Sequence, residues 1–135
     1  MDSGSRTEEA SKGMLWSGRV LSGLMALMFV FDGLGHLMKP APVVEAFARL
    51  GYPLSTSVGI GVLLLVCTAI YVTPRTSILG AILLTGYLGG AVATHLRAGS
   101  SLFEMVFPVI AGVLIWAGIF VRDAGLRELI PLRRG

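Results

Sequence analysis

Charged residues are scarce in this chain of 135 residues, because only 14% are Asp, Glu, Lys or Arg. A soluble globular domain typically has about a quarter of its residues charged. Hydrophobic residues make up 54% of the sequence and lie in long blocks. The composition therefore predicts a single domain whose main partner is the lipid bilayer. No basic stripe lies on a soluble element, so we expect no nucleic-acid partner.

Cysteine is almost absent as well, since Cys67 is the only one. One cysteine forms neither an intramolecular disulfide nor the CxxC motif of a membrane thiol oxidoreductase. That class of four-helix redox enzymes is excluded. Cys67 lies inside an apolar block, and we interpret it as a small buried residue.

The N-terminal stretch MDSGSRTEEASKG lacks the basic region that opens a secretory signal peptide. The first apolar stretch is too long for a signal sequence, and no A-x-A cleavage site follows it. We therefore expect a disordered, uncleaved polar tail over residues 1–14, one transmembrane domain over residues 15–132, and a basic tail over residues 133–135.

Four long apolar segments are present, each close to the roughly 20 residues that a helix needs to cross a bilayer. Their links are mostly short, which makes sequence neighbours antiparallel. The fold class predicted is an all-α membrane protein, an antiparallel bundle of four transmembrane helices. The predicted spans are about 16–38, 55–73, 77–95 and 103–121.

The longest link, KPAPVVEAFARLGYP, has helix signals of its own. Pro42 is suited to the first turn of a helix, and Gly51 is suited to its end. Val43, Phe47 and Leu50 would then share one face. This pattern predicts a short helix lying in the membrane interface between spans 1 and 2, with a plain loop as the alternative.

Lysine and arginine are distributed unevenly between the two ends of the bundle. Eight of the eleven lie on the side of the termini and of the second link, and three lie on the other side. By the positive-inside rule, both termini are predicted to be cytoplasmic. The three residues on the outer side are Lys39, Arg49 and Arg97.

Small residues recur at helical spacing in the third span. Such a ladder lets helix backbones approach closely in lipid, so we expect Gly89 and Gly90 to lie at close helix contacts within the bundle. A seam between two copies of the chain is the alternative, which leaves a homo-oligomer open. The ladder consists of Ala81, Thr85, Gly89 and Ala93, with Gly86 and Gly90 beside it.

The stretch FVFDGLGHL places two ionisable residues, Asp32 and His36, inside the apolar first span. They are one helical turn apart and therefore share a face. Met25 and Phe29 lie on the same face. Charged groups that face lipid cost several kcal/mol near the bilayer centre, so Asp32 and His36 are predicted to point into the bundle.

Depth along the helices brings two further polar residues to the same level. Counted from Trp16, Asp32 lies roughly 24 Å along the first span and His36 roughly 30 Å. His95 ends the third span on that side, and Glu104 begins the fourth. Asp32, His36, His95 and Glu104 are therefore the candidate ligand-binding residues, in one polar cavity that opens to the outer face.

Pro108 adds to this pattern. A proline inside a helix leaves the carbonyl four residues earlier without its usual donor, and here that carbonyl belongs to Glu104. We expect the fourth span to bend or open beside the polar cluster. A proline tolerated in the first turns of a span is an equal alternative.

Three chemistries suit such a cluster. Two histidines with carboxylates resemble a transition-metal ligand set, but the spacing has no metal signature, so no metal ligand is assigned and metal binding is left open. A histidine–carboxylate pair also exchanges protons with a small molecule such as a quinone. The structural alternative is a clamp in which Asp32 orients His36 and His95 meets Glu104. No catalytic residue is assigned.

Four stretches make the chain similar to the DoxX-like family of small bacterial membrane proteins. The similarity extends from Trp16 to Leu132, and the stretches are FDGLGHLMKP, PRTSILGAILLTGYLGGAVATHLRAG, FPVIAGVLIWAGIFVRD and PLRR. The resemblance implies a four-helix bundle in the bacterial inner membrane. The wider superfamily includes a small subunit of an archaeal thiosulfate:quinone oxidoreductase, but most members have no assigned activity.

Two functions remain open at this point, and whether the protein is an enzyme is open too. The first is an accessory or subunit of a membrane redox system that binds a quinone-like or other small molecule in the outer cavity, with a quinone as the candidate cofactor. The second is a non-catalytic component that supports a membrane or redox protein partner. A proton-coupled carrier is disfavoured, because the chain lacks repeated halves with broken helices.

Overall fold

The computed structural model of the protein describes the backbone of residues 2–130 and the side chains of residues 12–130. Within that range the chain is helical and has no strand. One-turn 3-10 helices at Leu54–Thr56 and Pro74–Thr76 lead into the third and fourth α-helices. The α-helices are α1 (Asp2–Met38), α2 (Ala41–Leu50), α3 (Ser57–Val72), α4 (Ser77–Ala98), α5 (Leu102–Arg122) and α6 (Ala124–Leu129).

Four of these helical segments are long and apolar enough to cross a membrane, which confirms the predicted class. They are Lys12–Met38, Leu54–Val72, Pro74–Ala98 and Leu102–Arg122. Each lies within a few residues of its predicted span. The short helix α6 was not predicted. The three-residue basic tail predicted at 133–135 lies outside the described residues.

The N-terminal segment differs from the expectation of disorder, because α1 begins at Asp2 and runs without a break into the first span. Starting a helix is the costly step, whereas each further residue adds one hydrogen bond for little cost. The apolar span supplies the start. Glu, Ala and Lys in the stretch TEEASK are good helix formers, so the helix continues backwards through the polar segment.

The bundle has a square cross-section. α1 packs against α3 and α5, and α4 packs against the same two helices. α1 and α4 therefore lie across the diagonal from each other. The core between the helices is apolar and includes Phe29 from α1, Leu64 from α3, Leu84 from α4 and Ile115 from α5.

Glycines allow α1 to approach its neighbours at two levels. A Cβ atom on Gly18 would lie 2.7 Å from the carbonyl oxygen of Gly118 in α5. Nearer the other end of α1, a Cβ atom on Gly61 of α3 would lie 2.8 Å from the carbonyl oxygen of Gly33. Real Cβ atoms do not come this close, so α1 contacts α5 at one level and α3 at the other through glycine backbone.

The small-residue ladder of α4 behaves differently from the expectation. Gly89 and Gly90 have no atom within 4 Å of where a Cβ atom would stand. The prediction that they lie at close helix contacts is therefore wrong. The spacing of small residues shows that one face of a helix has small side chains. It does not show that a neighbouring helix packs against that face. On α4 the buried positions are Ser77, Gly80, Ala81, Leu84 and Leu88.

The helix predicted in the longest link is present as α2. α1 ends at Met38, and the next residue, Lys39, has φ 54° and donates from its N–H to the carbonyl of Gly35. Pro40 then starts α2, and Gly51 ends it in the left-handed conformation at φ 78°. Phe47 is its buried residue. A location of α2 in the membrane interface stays a prediction.

Candidate functional site

A cavity of about 730 Å³ lies at the end of the bundle that carries α2. Every helix from α1 to α5 contributes to its lining, and α2 lies over it. We call this space the α2 cavity. Most of its wall is apolar or aromatic, and it is open on one side. A second cavity of about 260 Å³ lies near α6 and is lined by apolar side chains such as Phe120 and Leu126.

Asp32 and His36 line the α2 cavity from α1. Met25 and Phe29, on the same face, are buried in the core. Nδ1 of His36 lies 2.8 Å from the backbone oxygen of Asp32 and 3.7 Å from its Oδ1. The imidazole is 15% exposed and the carboxylate 53% exposed, so the carboxylate lies towards the open side.

His95 lines the same cavity from the last turn of α4. Its Nδ1 lies 3.0 Å from the hydroxyl oxygen of Ser100, just beyond the end of the helix. Both histidines therefore line one cavity. Within the described part of the chain, the hydrogen-bond partner of the His95 ring is Ser100, so the His95–Glu104 contact of the alternative clamp is not formed.

Glu104 is not one of the cavity-lining residues. Its carboxylate accepts from the N–H and the hydroxyl of Ser101, while the Ser101 hydroxyl accepts from the N–H of Glu104. This is a capping box at the start of α5. The other carboxylate oxygen lies 2.6 Å from Nη2 of Arg49 in α2. The S-x-x-E spacing of SLFE is the sequence signal for this capping box. The prediction for Glu104 used only its depth along the fourth span.

Pro108 is buried in α5 and lines the cavity. α5 continues through it as one helix from Leu102 to Arg122. The expected opening of the helix beside the polar cluster is therefore not seen. Pro108 is the seventh residue of α5, beyond the four N-terminal N–H groups that have no helical acceptor, so the carbonyl of Glu104 still lacks its usual helical donor.

The C-terminal part of α2 is attached to the bundle by polar contacts from two spans. Arg97 of α4 donates from Nη2 to the carbonyl of Leu50 at 2.9 Å. The hydroxyls of Tyr52 and Thr94 lie 3.0 Å apart. Together with the Arg49–Glu104 ion pair, these contacts hold α2 against α4 and α5 beside the cavity. All three are far apart in sequence and were not predicted.

Aromatic side chains complete the site. The ring of Phe47 lies 5.6 Å from the ring of His36, edge to face at 68°, and 6.0 Å from the ring of Tyr52. Tyr87 of α4 also lines the cavity. Sequence reasoning missed these residues, although Tyr87 precedes His95 by eight residues and so shares its helix face.

The donor set of the site is poor for a metal ion. No three His, Cys, Asp or Glu side chains in the described part of the chain come together as a metal-binding group. The arrangement instead suits an uncharged or amphipathic organic molecule. Apolar walls would bury its ring or chain, and a few placed polar groups would orient it.

Comparison with known sequences gives a family but no individual relative. Neither curated proteins nor solved structures contain a match to this chain. A match to the DoxX-like family covers residues 20–118, which is most of the chain and includes Asp32, His36 and His95. Together with the four apolar helices, this match shows that the chain is a multi-pass membrane protein and belongs to the DoxX-like family.

Proposed function

We propose that the protein is an accessory or subunit of a membrane redox system and binds a small quinone-like molecule in the α2 cavity. One observation carries this proposal: Asp32, His36 and His95 line the same cavity although they come from helices on opposite corners of the bundle. Ionisable groups within a membrane span are costly and usually mark a functional site.

The size and the walls of the cavity support a ligand of this kind. Ligand pockets typically measure about 300–1,000 Å³ and are mostly apolar with a few polar groups, and the α2 cavity of about 730 Å³ lies in this range. Phe47, Tyr87 and Phe107 offer ring faces and edges. A substituted ring with an apolar tail would place its oxygens near the histidines and its tail towards the lipid.

Two neighbouring glycines of α4 provide a matched test. Gly90 lines the cavity and Gly89 does not, while both have open space where a side chain would stand. Gly90→Leu should therefore fill the cavity, and Gly89→Leu should place the same side chain outside it. Neither substitution is expected to disturb the packing of the bundle.

The measurement is equilibrium binding of decylbenzoquinone to protein reconstituted in lipid nanodiscs. Wild type and Gly89→Leu should bind it with similar affinity, and Gly90→Leu should weaken binding at least about tenfold, the equivalent of 1.4 kcal/mol. Equal binding by both leucine variants, or no binding of either decylbenzoquinone or decylhydroquinone by wild type, would favour a non-catalytic role in supporting a partner complex.

A further inference from the structure

The hydrogen bond of His36 determines which ring nitrogen carries the proton. Nδ1 lies 2.8 Å from the backbone oxygen of Asp32. A carbonyl oxygen only accepts, so Nδ1 must donate, and the proton of the neutral imidazole is therefore on Nδ1. The Asp32 carboxylate oxygen 3.7 Å from the same nitrogen favours the same tautomer. Nε2 then has a lone pair and no hydrogen.

The lone pair of Nε2 remains available to a molecule in the cavity. Within residues 12–130 the hydrogen bond of the His36 ring is the one between Nδ1 and the backbone oxygen of Asp32. Nε2 is not sealed off either, because the one sealed side-chain nitrogen or oxygen without a partner in this range is Nε of Arg122. His36 lines the α2 cavity, and its ring is held against the edge of Phe47. The acceptor is therefore held in place in an apolar wall.

The neighbouring polar group adds a second acceptor rather than a donor. The Asp32 carboxylate is half exposed at the open side of the same cavity and, when ionised, only accepts. A ligand that meets both groups must supply hydrogens of its own. A carbonyl oxygen facing Nε2 would place two lone pairs against each other and leave both without a partner.

We propose that the His36 side of the α2 cavity selects the hydroxyl-bearing, reduced form of a ring ligand, a hydroquinone or phenol, over the carbonyl-bearing oxidised form. This inference rests on the proposed function and names the form of the ligand that binds. A ligand hydroxyl donates to Nε2 of His36, and Phe47 keeps the imidazole in the orientation that receives it. The apolar walls strengthen the matched hydrogen bond, because a low local dielectric increases its electrostatic energy.

Three probes of the same size separate the contributions. Decylhydroquinone has two hydroxyl donors, decylbenzoquinone has two carbonyl acceptors, and the dimethyl ether of decylhydroquinone keeps the ring but has no donor. Binding is measured anaerobically with wild-type protein in lipid nanodiscs. The hydroquinone should bind at least about tenfold tighter than either of the other two, as sites that hydrogen-bond a hydroxyl reject analogues lacking it.

Substitution of each histidine by phenylalanine identifies the group responsible. His36→Phe keeps a planar ring but removes Nε2, so the variant should bind the hydroquinone and the quinone with about equal affinity. His95→Phe is the matched control, because its ring partner is a serine hydroxyl that both donates and accepts and does not determine the tautomer. His95→Phe should keep the preference, whatever its effect on overall affinity.

The outcomes distinguish the two proposals. If wild type binds the quinone as tightly as the hydroquinone, or His36→Phe retains the preference, the selection by His36 is wrong and the proposed function stands. If wild type binds none of the three probes, both proposals are wrong. If His36→Phe does not fold, the affinities of wild type for the three probes still show whether the site prefers the hydroquinone.

Discussion

Tyr71 is the largest side chain that is completely buried, and its hydroxyl is fully enclosed by the bundle. It lies 2.8 Å from Oγ of Ser22 in α1 and 3.1 Å from the carbonyl oxygen of Ile115 in α5. One α3 side chain thus connects three helices. A buried hydroxyl of this kind must find partners inside the protein, because its burial separates it from solvent.

Tyr71→Phe should therefore destabilise the bundle by about 0.5–1.5 kcal/mol, the usual net value of one hydrogen bond. The measurement is unfolding by SDS in mixed micelles, followed by circular dichroism. Tyr52→Phe is the control, because the Tyr52 hydroxyl bonds to Thr94 at an exposed position and should matter less. A larger loss for Tyr52→Phe than for Tyr71→Phe would contradict this order.

Single residues also show which features of the site can be predicted from the sequence. The direction of Asp32 and His36 followed from helix periodicity and from the cost of charge in lipid, and both do line the cavity. The partner of Glu104 did not follow, because Arg49 lies on another helix and helix depth says nothing about lateral position. Its other contact, with Ser101, is local and was visible as a capping-box spacing.

At the scale of whole helices, contacts through glycine set how α1 sits between its neighbours. Gly18→Ala should push α1 and α5 apart, because the new methyl group would meet the backbone of Gly118. We expect a loss of about 1–3 kcal/mol from overpacking. Gly89→Ala should be neutral or stabilise by up to about 1 kcal/mol, since its surroundings are open and alanine favours helix.

Both variants are compared by the same SDS unfolding assay in one lipid–detergent mixture. The comparison is between the changes in unfolding free energy caused by the two substitutions. If Gly89→Ala destabilises the protein as much as Gly18→Ala does, the small-residue ladder of α4 is covered by another molecule in the membrane. The assay therefore also tests the homo-oligomer that the ladder left open.

The attachment of α2 depends partly on the Arg49–Glu104 ion pair. Because the Arg49 side chain is 56% exposed, the pair should contribute little to global stability. Arg49→Gln should instead release α2 locally. Hydrogen exchange followed by mass spectrometry should show faster exchange over residues 41–50 and unchanged exchange in α3.

Arg75→Gln is the control for that experiment, since Arg75 lies in the link at the opposite end of the bundle. It removes one arginine of the same type and should leave exchange in α2 as in wild type. Unchanged exchange over residues 41–50 in Arg49→Gln would mean that Phe47 and the Arg97–Leu50 contact hold α2 without the ion pair.

The helices themselves were predictable because each is apolar over a bilayer-spanning length and is bounded by Pro, Gly or Ser. α2 was predictable from Pro42 and Gly51. The order of the helices around the bundle was not predictable. Hydropathy shows that a residue avoids water, but it does not distinguish a residue that faces lipid from one that faces another helix. The cavity depends on that order, and so its lining by Tyr52 and Phe107 could not be predicted from the sequence.

For the whole molecule, the uneven distribution of Lys and Arg predicts which end faces the cytoplasm. In a Cys67→Ala background, Ser5→Cys should be protected from a membrane-impermeant maleimide in intact cells. Ser55→Cys lies at an exposed position beside α2 and should react with it. The reverse pattern would invert the orientation and place the α2 cavity on the cytoplasmic side.

The short connection between α1 and α2 limits where residues can be inserted into the chain. Only Lys39 and Pro40 separate the two helices, and both have tightly defined backbone angles. Each residue of an α-helix advances about 100° around its axis. One residue inserted into α1 between His36 and Lys39 would therefore swing the exit direction of the chain by more than a quarter turn, carrying Phe47 and Arg49 away from His36 and Glu104. Insertions of about seven residues, close to two full turns, restore the direction but lift α2 off the bundle. The distance between the histidine and the end of its helix is thus as constrained as the identity of the histidine itself.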